Sequence, residues 1–436
     1  MSTETAKDMS DEVIPLPYVA GASLRLEITQ NYQDLPFPQV TTASITRVLD
    51  ITMSSVMCVT ITLDSGQDVQ AVLKLYDRRF GMDLRDCNEV HLPLTTAKQA
   101  LFESFVRRSA IGPFLIQLAQ DQEKELIPIP AHHHLDDDFE GSEKYEAALW
   151  KDCDDMFHCE TKAYELLKDL QGAGVPRLLA AVRLVDTSSS TPSDLIDGPD
   201  AKYWDVNGIL LQFIPGINLI NLDSSSIDVK EWPILVQRSM DLVHKINEHG
   251  VVMMDCSPRN VIVDQQSQQP FIIDFAQCWF KHEMKMREHS NEQEDEDDEE
   301  DKEEEESEEK VTKEEKETEE KETKEKENKE EDDDEKEDDE KEDDEKEDDE
   351  KEDKEKEDEE KEDEEKEDEE KEDEEKEDEE KEDNDSEIDL EAEYWRRVVS
   401  LDNPGAIGYV MTTRLQREKG VKIKVQFPDI YERPLE

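Results

Sequence analysis

Three oxygen-bearing side chains, Asp255, Asn260 and Asp274, stand at the edges of two short apolar segments. The segments NVIVD and PFIID are rich in β-branched residues, and QQSQQ between them is a polar turn, so they predict a β-hairpin. A hairpin brings its ends together, so Asn260 and Asp274 should lie close, with Asp255 nearby in a loop held by Pro258. Mg²⁺ takes one or two protein oxygens and completes its shell with water and phosphate. The spacing therefore predicts that Asn260 and Asp274 bind Mg²⁺ and that Asp255 accepts a proton from a hydroxyl.

A phosphoryl donor at such a site also needs a cation on its other side. Lys74 is the candidate because it lies in the apolar segment VQAVLKLYD, where strand alternation puts it on the same face as Val72. A partly buried lysine needs a carboxylate partner, and Glu160 on the following predicted helix could supply it. Two alternatives stay open: Lys74 could be an edge-strand lysine that reaches solvent, and Glu165 could be the partner instead of Glu160.

Other polar residues also have more than one interpretation. Asp255 could be a loop-capping carboxylate and Asn260 a turn residue. The segment HHHLDDD, residues 132–138, could bind a metal, but consecutive histidines point in different directions, so we favour a surface loop. Cys256 has no histidine placed in sequence to activate it, and we interpret it as a small loop residue.

Hydrophobic periodicity predicts the elements that would position these residues. Three β-rich segments with tight connections, SITRVLDITM, VMCVTITL and VQAVLKLYD, predict an antiparallel meander. A helix is predicted to begin at Asp154 or Asp155 and to end at Gly172. Two more strands follow, RLLAAVRLV and GILLQFIPG, and then a second helix, EWPILVQRSMDLVHKINEHG, that Gly250 ends. Beyond position 388, IDLEAEYWRRVVSLDNPG predicts one amphipathic helix.

The order of these features resembles the protein-kinase-like superfamily: a lysine in a third strand, a glutamate in the next helix, D-x-x-x-x-N and then D-F. DCSPRN matches the spacing of the catalytic loop, and IIDFAQ matches the strand end that binds metal. LLQFIPG resembles the hinge segment of the aminoglycoside and choline kinase branch and of fungal kinase-like proteins. The resemblance covers about residues 42–280. It implies an α+β, two-lobed fold with an antiparallel sheet in the N-terminal lobe and a small, mostly helical C-terminal lobe.

The resemblance also implies ATP and Mg²⁺ as ligands and a role for each candidate residue. Lys74 would hold the α- and β-phosphates, and Glu160 would anchor it. Asp255 would be the catalytic base, while Asn260 and Asp274 would bind Mg²⁺.

The adenine site is implied by the resemblance alone. Val72 and Leu211 would flank the base, and the backbone at Gln212 and Ile214 would read its edge. The implied activity is transfer of the γ-phosphoryl group of ATP to a hydroxyl acceptor, which could be a protein or a small molecule.

Some positions depart from the family pattern. No glycine occurs in DITMSSVM between the first two predicted strands, and the A-P-E motif is absent. Met253 stands where the family usually has His or Tyr, and Ala276 stands where protein kinases have Gly. A second function therefore stays open: a pseudokinase, which binds nucleotide or acts as a scaffold and uses an acidic segment to bind partners.

The charge distribution limits how much of the 436-residue chain can pack. Residues 301–380 hold 56 acidic and 18 basic side chains, which is −38 of the chain's net charge of −68, and Val311 is their single aliphatic residue. Such a segment cannot bury enough apolar surface to offset chain entropy, so we predict a disordered acidic tract over 291–387. The tract could be a solvated spacer or a docking surface for basic proteins. Its charge argues against nucleic acid as a partner.

Composition also bounds the compartment and the domain organisation. The six cysteines are scattered, the N-terminus is polar, and no segment of about 18 apolar residues occurs, so we expect an intracellular protein, cytoplasmic or nuclear, without a membrane partner. Residues 1–41 are predicted to be a loose leader. Residues 42–216 would form the first lobe, with an insertion at about 81–150 whose later part is exposed, and residues 217–290 would form the second lobe, which carries the catalytic and metal loops. The acidic tract (291–387) would follow, and then a C-terminal helix and tail (388–436) that packs on the second lobe.

Overall fold

The computed structural model describes residues 12–87, 90–123, 129–135, 142–185, 200–283 and 391–428. By its internal contacts the chain forms two units, Met1–Met284 with Trp395–Glu436, and Lys285–Tyr394. The acidic tract predicted over 291–387 lies outside the described residues. All elements named below belong to the first unit.

Strands and helices both contribute to the first unit. The strands are β1 (Ser23–Asn31), β2 (Val40–Ile51), β3 (Ser55–Thr62), β4 (Asp68–Tyr76), β5 (Asp86–Cys87), β6 (Val90–His91), β7 (Leu178–Leu184), β8 (Asn207–Gln212), β9 (Gly216–Asn218), β10 (Val251–Met253), β11 (Val261–Asp264), β12 (Pro270–Ile272) and β13 (Cys278–Phe280). The helices are α1 (Thr96–Arg107), α2 (Ile111–Glu123), α3 (Glu143–Leu166), α4 (Trp232–Glu248) and α5 (Asn403–Lys419). Residues 395–401 are also helical.

An antiparallel sheet of the order β1-β2-β3-β4-β8-β7 closes on itself, because β1 pairs with both β2 and β7. Apolar side chains at alternate positions fill its interior, and Ala71, Leu73 and Leu75 are the contribution of β4. Strand alternation then sends Val72 and Lys74 to the other face. The meander predicted from the sequence is confirmed as β2, β3 and β4.

The expectation of a loose leader over residues 1–41 is wrong in its second half. β1 lies in the closed sheet, and the buried side chain of Tyr18 donates a hydrogen bond to Asp77 Oδ2 over 2.5 Å. The apolar alternation of Leu24, Leu26 and Ile28 is a strand pattern. The prolines on both sides of this segment obscured that pattern.

The predicted insertion at 81–150 contains α1, α2 and the start of α3. Its later part, expected to be exposed, is buried at Ala131 and His132. His132 Nδ1 lies 2.5 Å from Asp152 Oδ2, and the backbone N–H of Ala131 donates to Asp152 Oδ1 over 2.5 Å. The expectation is wrong because these polar groups bond to a partner inside the protein instead of to water.

Helix α3 begins earlier than the sequence pattern predicted. Its N-cap is Ser142, whose side chain accepts a hydrogen bond from the backbone N–H of Tyr145, rather than Asp154 or Asp155. The early start brings Glu146 into the helix, where it is buried.

Glu146 joins two buried arginines. Its Oε2 accepts from Arg78 Nη1 over 2.5 Å, and its Oε1 accepts from Arg85 Nη2 over 2.5 Å. Arg78 also donates to Gln99 and stacks 3.6 Å above the ring of Phe102, both on α1. This ion cluster therefore ties the chain that follows β4 to α1 and α3.

The last part of the chain forms two helices where the sequence predicted one. The backbone turns at Asp402, which has a φ of +42°, and α5 begins there because Pro404 suits the first turn of a helix but not its interior. Helix α5 packs on α4, and Gly408 allows the close approach: a Cβ there would lie 2.7 Å from Met240 Sδ.

None of the described helices is long and apolar enough to cross a membrane. The domain boundaries stay predictions.

We expect Glu146→Gln to lower the free energy of unfolding by about 3–5 kcal/mol, because it leaves buried guanidinium groups without a counter-charge. Burial raises the pKa of Glu146, but the charges of Arg78 and Arg85 outweigh burial and lower it below the ordinary value. The stabilisation is therefore present above the ordinary carboxyl pKa, near 4.3, and is lost as pH falls through the lowered pKa. Denaturant unfolding from pH 7 down to pH 3 measures both effects.

Glu143→Gln is the matched control in the same helical turn. Glu143 is 31% exposed and bonds to the exposed Arg108 over 2.6 Å, so its loss should cost less than about 1 kcal/mol. Equal losses from the two substitutions would contradict the importance of the buried cluster.

Candidate functional site

A cavity of about 450 Å³ is lined by residues of the closed sheet, of α3 and of the β11–β12 hairpin. This volume lies within the range of small-molecule sites. The structure brings all of the sequence-predicted site residues to this cavity. They are Val72, Lys74, Glu160, Leu211, Gln212, Ile214, Asp255, Asn260 and Asp274.

Lys74 lies between two carboxylates. Its Nζ is 2.6 Å from Glu160 Oε2 and 2.6 Å from Asp274 Oδ1. Glu160 Oε2 also accepts a hydrogen bond from the hydroxyl of Tyr76 over 2.5 Å. Lys74 and Glu160 are buried, whereas the side chain of Asp274 is 41% exposed at the cavity. The cluster joins β4, α3 and the segment after β12, and it selects Glu160 over the alternative Glu165, which bonds to Tyr32.

The charges of this cluster follow from their mutual distances. Burial lowers the pKa of Lys74, but the nearby Asp274 and Glu160 outweigh burial and raise it, so the ammonium stays charged. Burial raises the pKa of Asp274, but Lys74 outweighs it, so the carboxylate is ionised at neutral pH. The pKa of Glu160 is raised because burial is the largest effect there and Asp274 adds to it.

The predicted hairpin is confirmed, and its register explains why Asn260 and Asp274 meet. Val261 pairs with Ile272, and the backbone N–H of Ile273 donates to Asn260 O over 2.9 Å. Asp274 then adopts a φ of +70°, in the left-handed region that few residues other than glycine, Asn and Asp adopt.

A single 3₁₀ turn, Pro258–Asn260, orders the loop before β11. Asn260 Nδ2 donates to the backbone carbonyl of Asp255 over 2.8 Å, so of the two polar atoms of this amide only the oxygen could bind a cation. Arg259 Nη2 donates to both carboxylate oxygens of Asp255, over 2.9 and 2.7 Å. This ion pair was not predicted, because a spacing of four residues indicates a contact in a helix but not in a loop.

Asn403, at the start of α5, holds the same loop from a distant part of the chain. Its Oδ1 accepts from the backbone N–H of Met253 over 3.0 Å, and its Nδ2 donates to the carbonyl of Met253 over 2.8 Å. Asn403 and Met253 are both buried. No local pattern predicts a contact between residues 150 positions apart.

Several of the side chains that line the cavity are apolar. Beside the predicted Val72 and Leu211 they include Leu49, Val56 and Ile262, which were not predicted from the sequence. Alternation along β2, β3 and β11 was the available signal, but only the tertiary structure shows which faces meet.

The loop between β2 and β3 contains no glycine, yet another glycine packs against it. A Cβ at Gly81 would lie 3.0 Å from the carbonyl oxygen of Thr52 and 3.1 Å from that of Met53. Thr52, Met53 and Ser54 line the cavity, and Ser54 is buried. The close packing of this loop therefore depends on a glycine outside it.

The part of the chain that the structure describes holds no cluster of three or more His, Cys, Asp or Glu residues suited to a metal ion. The segment predicted as a surface loop over 132–138 is described only as far as Leu135, and its His132 bonds to Asp152. Mg²⁺ needs no such cluster, because it keeps several waters and binds one or two protein carboxylates together with phosphate.

No family model matches the chain, and no curated protein matches it. Solved structures similar to it include the kinase domain of PknI from Mycobacterium tuberculosis, crystallised as several variants. One of them is 14% identical, with a TM-score of 0.25, and the match covers 54% of this chain and 59% of that chain. A second is also 14% identical, with a TM-score of 0.24 and coverages of 54% and 60%. The chain thus spans about three-fifths of the length of those kinase domains.

We expect Asn403→Ala to lower the free energy of unfolding by about 2–4 kcal/mol, because it leaves the buried N–H and C=O of Met253 without partners. Denaturant unfolding measures the loss. Gln416→Ala is the control, since Gln416 is exposed on the same helix and its replacement should change stability by less than about 0.5 kcal/mol. A loss no larger than that of the control would show that Asn403 does not hold the loop.

Proposed function

We propose that this chain is an ATP- and Mg²⁺-dependent phosphotransferase of the protein-kinase-like superfamily, which moves the γ-phosphoryl group to a hydroxyl acceptor. The observation that carries the proposal is the Lys74 ammonium, 2.6 Å from both Glu160 and Asp274, in a cavity that Asp255 and Asn260 also line. A fixed cation, two oxygen ligands for a metal and a carboxylate base are the groups that phosphoryl transfer uses.

In this proposal the closed sheet and the helical remainder are the two lobes of a kinase-like fold, and the cavity is the cleft between them. Val72 and Leu211 would flank the adenine. The backbone of Gln212 and Ile214 would read its edge. Ile214 lies two residues past the end of β8, where the backbone has left the sheet ladder.

The phosphates would lie beside the cluster of Lys74 and Asp274. Lys74 would hold the α- and β-phosphates, with Glu160 fixing the position of its ammonium. Asn260 and Asp274 fit a Mg²⁺ ion, because one offers an amide oxygen and the other a carboxylate that Lys74 keeps ionised. A bound Mg²⁺ would neutralise charge that develops on the phosphates.

Asp255 would act as the base. The acceptor oxygen forms a bond to the γ-phosphorus while the bond from that phosphorus to the β–γ bridging oxygen breaks, and ADP leaves. The hydroxyl proton passes to a carboxylate oxygen of Asp255, whose side chain is 41% exposed and can be reached by an acceptor. Positioning and charge neutralisation would supply most of the acceleration.

A pseudokinase is the second candidate function. Two observations favour it: both oxygens of Asp255 are bonded to Arg259, and the loop over the cavity has no glycine to bring backbone N–H groups onto phosphates. Such a protein would bind nucleotide without transferring phosphoryl groups.

The acidic tract adds a proposed partner class to either function. Its net charge of −38 over residues 301–380 would attract basic protein segments by long-range electrostatics that salt weakens.

We expect Mg²⁺-ATP to raise the melting temperature, because a ligand that binds only the folded state adds about 2.7 kcal/mol of stability at 100 times its Kd. Asp274→Asn should remove the Mg²⁺-dependent part of this shift. Asp264→Asn is the control, since Asp264 lies in the same hairpin and bonds to Ser267 in its turn. Absence of a shift in the wild-type protein would exclude the nucleotide site.

We expect Asp255→Asn to keep the thermal shift and to lower ATP turnover by about 10²–10⁴-fold, because the variant retains the site but lacks the base. Glu165→Gln should leave turnover unchanged, as Glu165 bonds to Tyr32 away from the cavity. A wild-type turnover equal to that of Asp255→Asn, with nucleotide binding intact, would identify a pseudokinase.

A further inference from the structure

Arg259 lies on the rim of the cavity, in contact with the proposed base. Its Nη2 is 2.9 and 2.7 Å from the two oxygens of Asp255, and its side chain is 65% exposed. The proposed roles in nucleotide and metal binding do not use this guanidinium. The hydrogen bonds that Arg259 donates to Asp255 are the largest cause that raises its pKa, and the charges of Asp255, Asp274 and Asp83 add to it.

An acceptor has to meet Arg259 if it reaches Asp255. A hydroxyl that gives its proton to Asp255 must come within hydrogen-bond distance of one carboxylate oxygen. Both oxygens are already within 2.9 Å of the guanidinium, so the atoms next to the hydroxyl come into contact with Arg259. A guanidinium offers a planar fork of donors that matches a carboxylate or a phosphate.

The same ion pair also blocks the base. While Arg259 bonds to both oxygens, it competes with an acceptor hydroxyl for the same lone pairs of Asp255. An anionic group beside the acceptor hydroxyl can replace Asp255 as the partner of Arg259, so the guanidinium keeps a counter-charge while the Asp255 carboxylate accepts the hydrogen bond of the hydroxyl instead. A neutral or cationic neighbour cannot.

We infer that Arg259 makes this site selective for a Ser or Thr hydroxyl flanked by Asp or Glu, whose carboxylate draws the guanidinium off Asp255. The inference rests on the proposed phosphotransferase function. Exposure of both Asp255 and Arg259 allows an extended peptide to reach them. The chain carries such hydroxyls itself, because Ser307 and Thr318 each lie between two glutamates in the acidic tract.

The test compares three peptides as phosphoryl acceptors for the full chain with Mg²⁺-ATP at about 0.15 M salt. At this ionic strength the Debye length is about 8 Å, so repulsion between the acidic tract and an acidic peptide is largely screened. The first peptide has the sequence of residues 303–309, EEEESEE, and in the others Gln or Lys replaces each Glu. We expect kcat/KM for the Glu peptide to exceed that for the Gln peptide about tenfold, the effect of one charge-assisted hydrogen bond. The Lys peptide should be the poorest acceptor.

Substitution at Arg259 gives the decisive comparison. Arg259→Glu should reverse the order, so that the Lys peptide becomes the best acceptor, and Arg259→Lys should keep a reduced preference for Glu. Arg417→Glu is the control, because this substitution makes the same change of charge at a site away from the cavity. Arg417 lies on α5 and is 72% exposed. It should keep the wild-type order.

The possible failures are distinguishable. Equal transfer to the three peptides, or a wild-type order retained in Arg259→Glu, overturns the inference and leaves the phosphotransferase intact. An Arg259→Glu variant with a higher KM for ATP and an unchanged peptide order would assign Arg259 to the nucleotide and also overturn it. Transfer to free serine but to no peptide overturns the choice of a peptide acceptor. Nucleotide binding without any transfer, or no nucleotide binding, overturns the proposed function together with the inference.

Discussion

The contact on which the site depends is the buried ammonium of Lys74 between Glu160 and Asp274. An isolated charge removed from water is costly, and the two carboxylates offset that cost only because both lie within 2.6 Å. They come from different parts of the chain, so the cluster can form only when β4, α3 and the end of the hairpin are all in place. One interaction thereby couples the closed sheet to the loops that carry Asp255 and Asn260.

Helix α3 is attached to the chain around β4 by two buried ion clusters. Glu146 near its start binds Arg78 and Arg85, which follow β4, and Glu160 near its end binds Lys74 within β4. Removing a partner from either cluster leaves a charge without compensation, so the position of the helix is restricted at two places. This arrangement explains why the predicted insertion packs as part of the same unit.

The loop of Asp255 is held from its other side by a residue beyond the acidic tract. Asn403 bonds to both backbone groups of Met253, and the thiol of Cys256 donates to the carbonyl of Asn403 over 3.4 Å. Closing a chain over a long intervening segment costs free energy that grows only with the logarithm of its length. A long acidic tract can therefore lie between Met253 and Asn403 in the sequence while the contact between these two residues holds the loop of Asp255.

The sequence by itself determined the elements and site residues that follow from local pattern. Strand alternation placed Lys74 opposite the interior of the sheet, and two apolar segments around a polar turn predicted the hairpin that joins Asn260 and Asp274. Tertiary structure alone decided what depends on distant partners: the place of β1 in the sheet, the burial of Glu146 and the bonds of Asn403. Local periodicity indicates which face of an element is apolar. A buried polar group is stable only when it has a partner, and local periodicity does not specify a partner that is distant in the sequence.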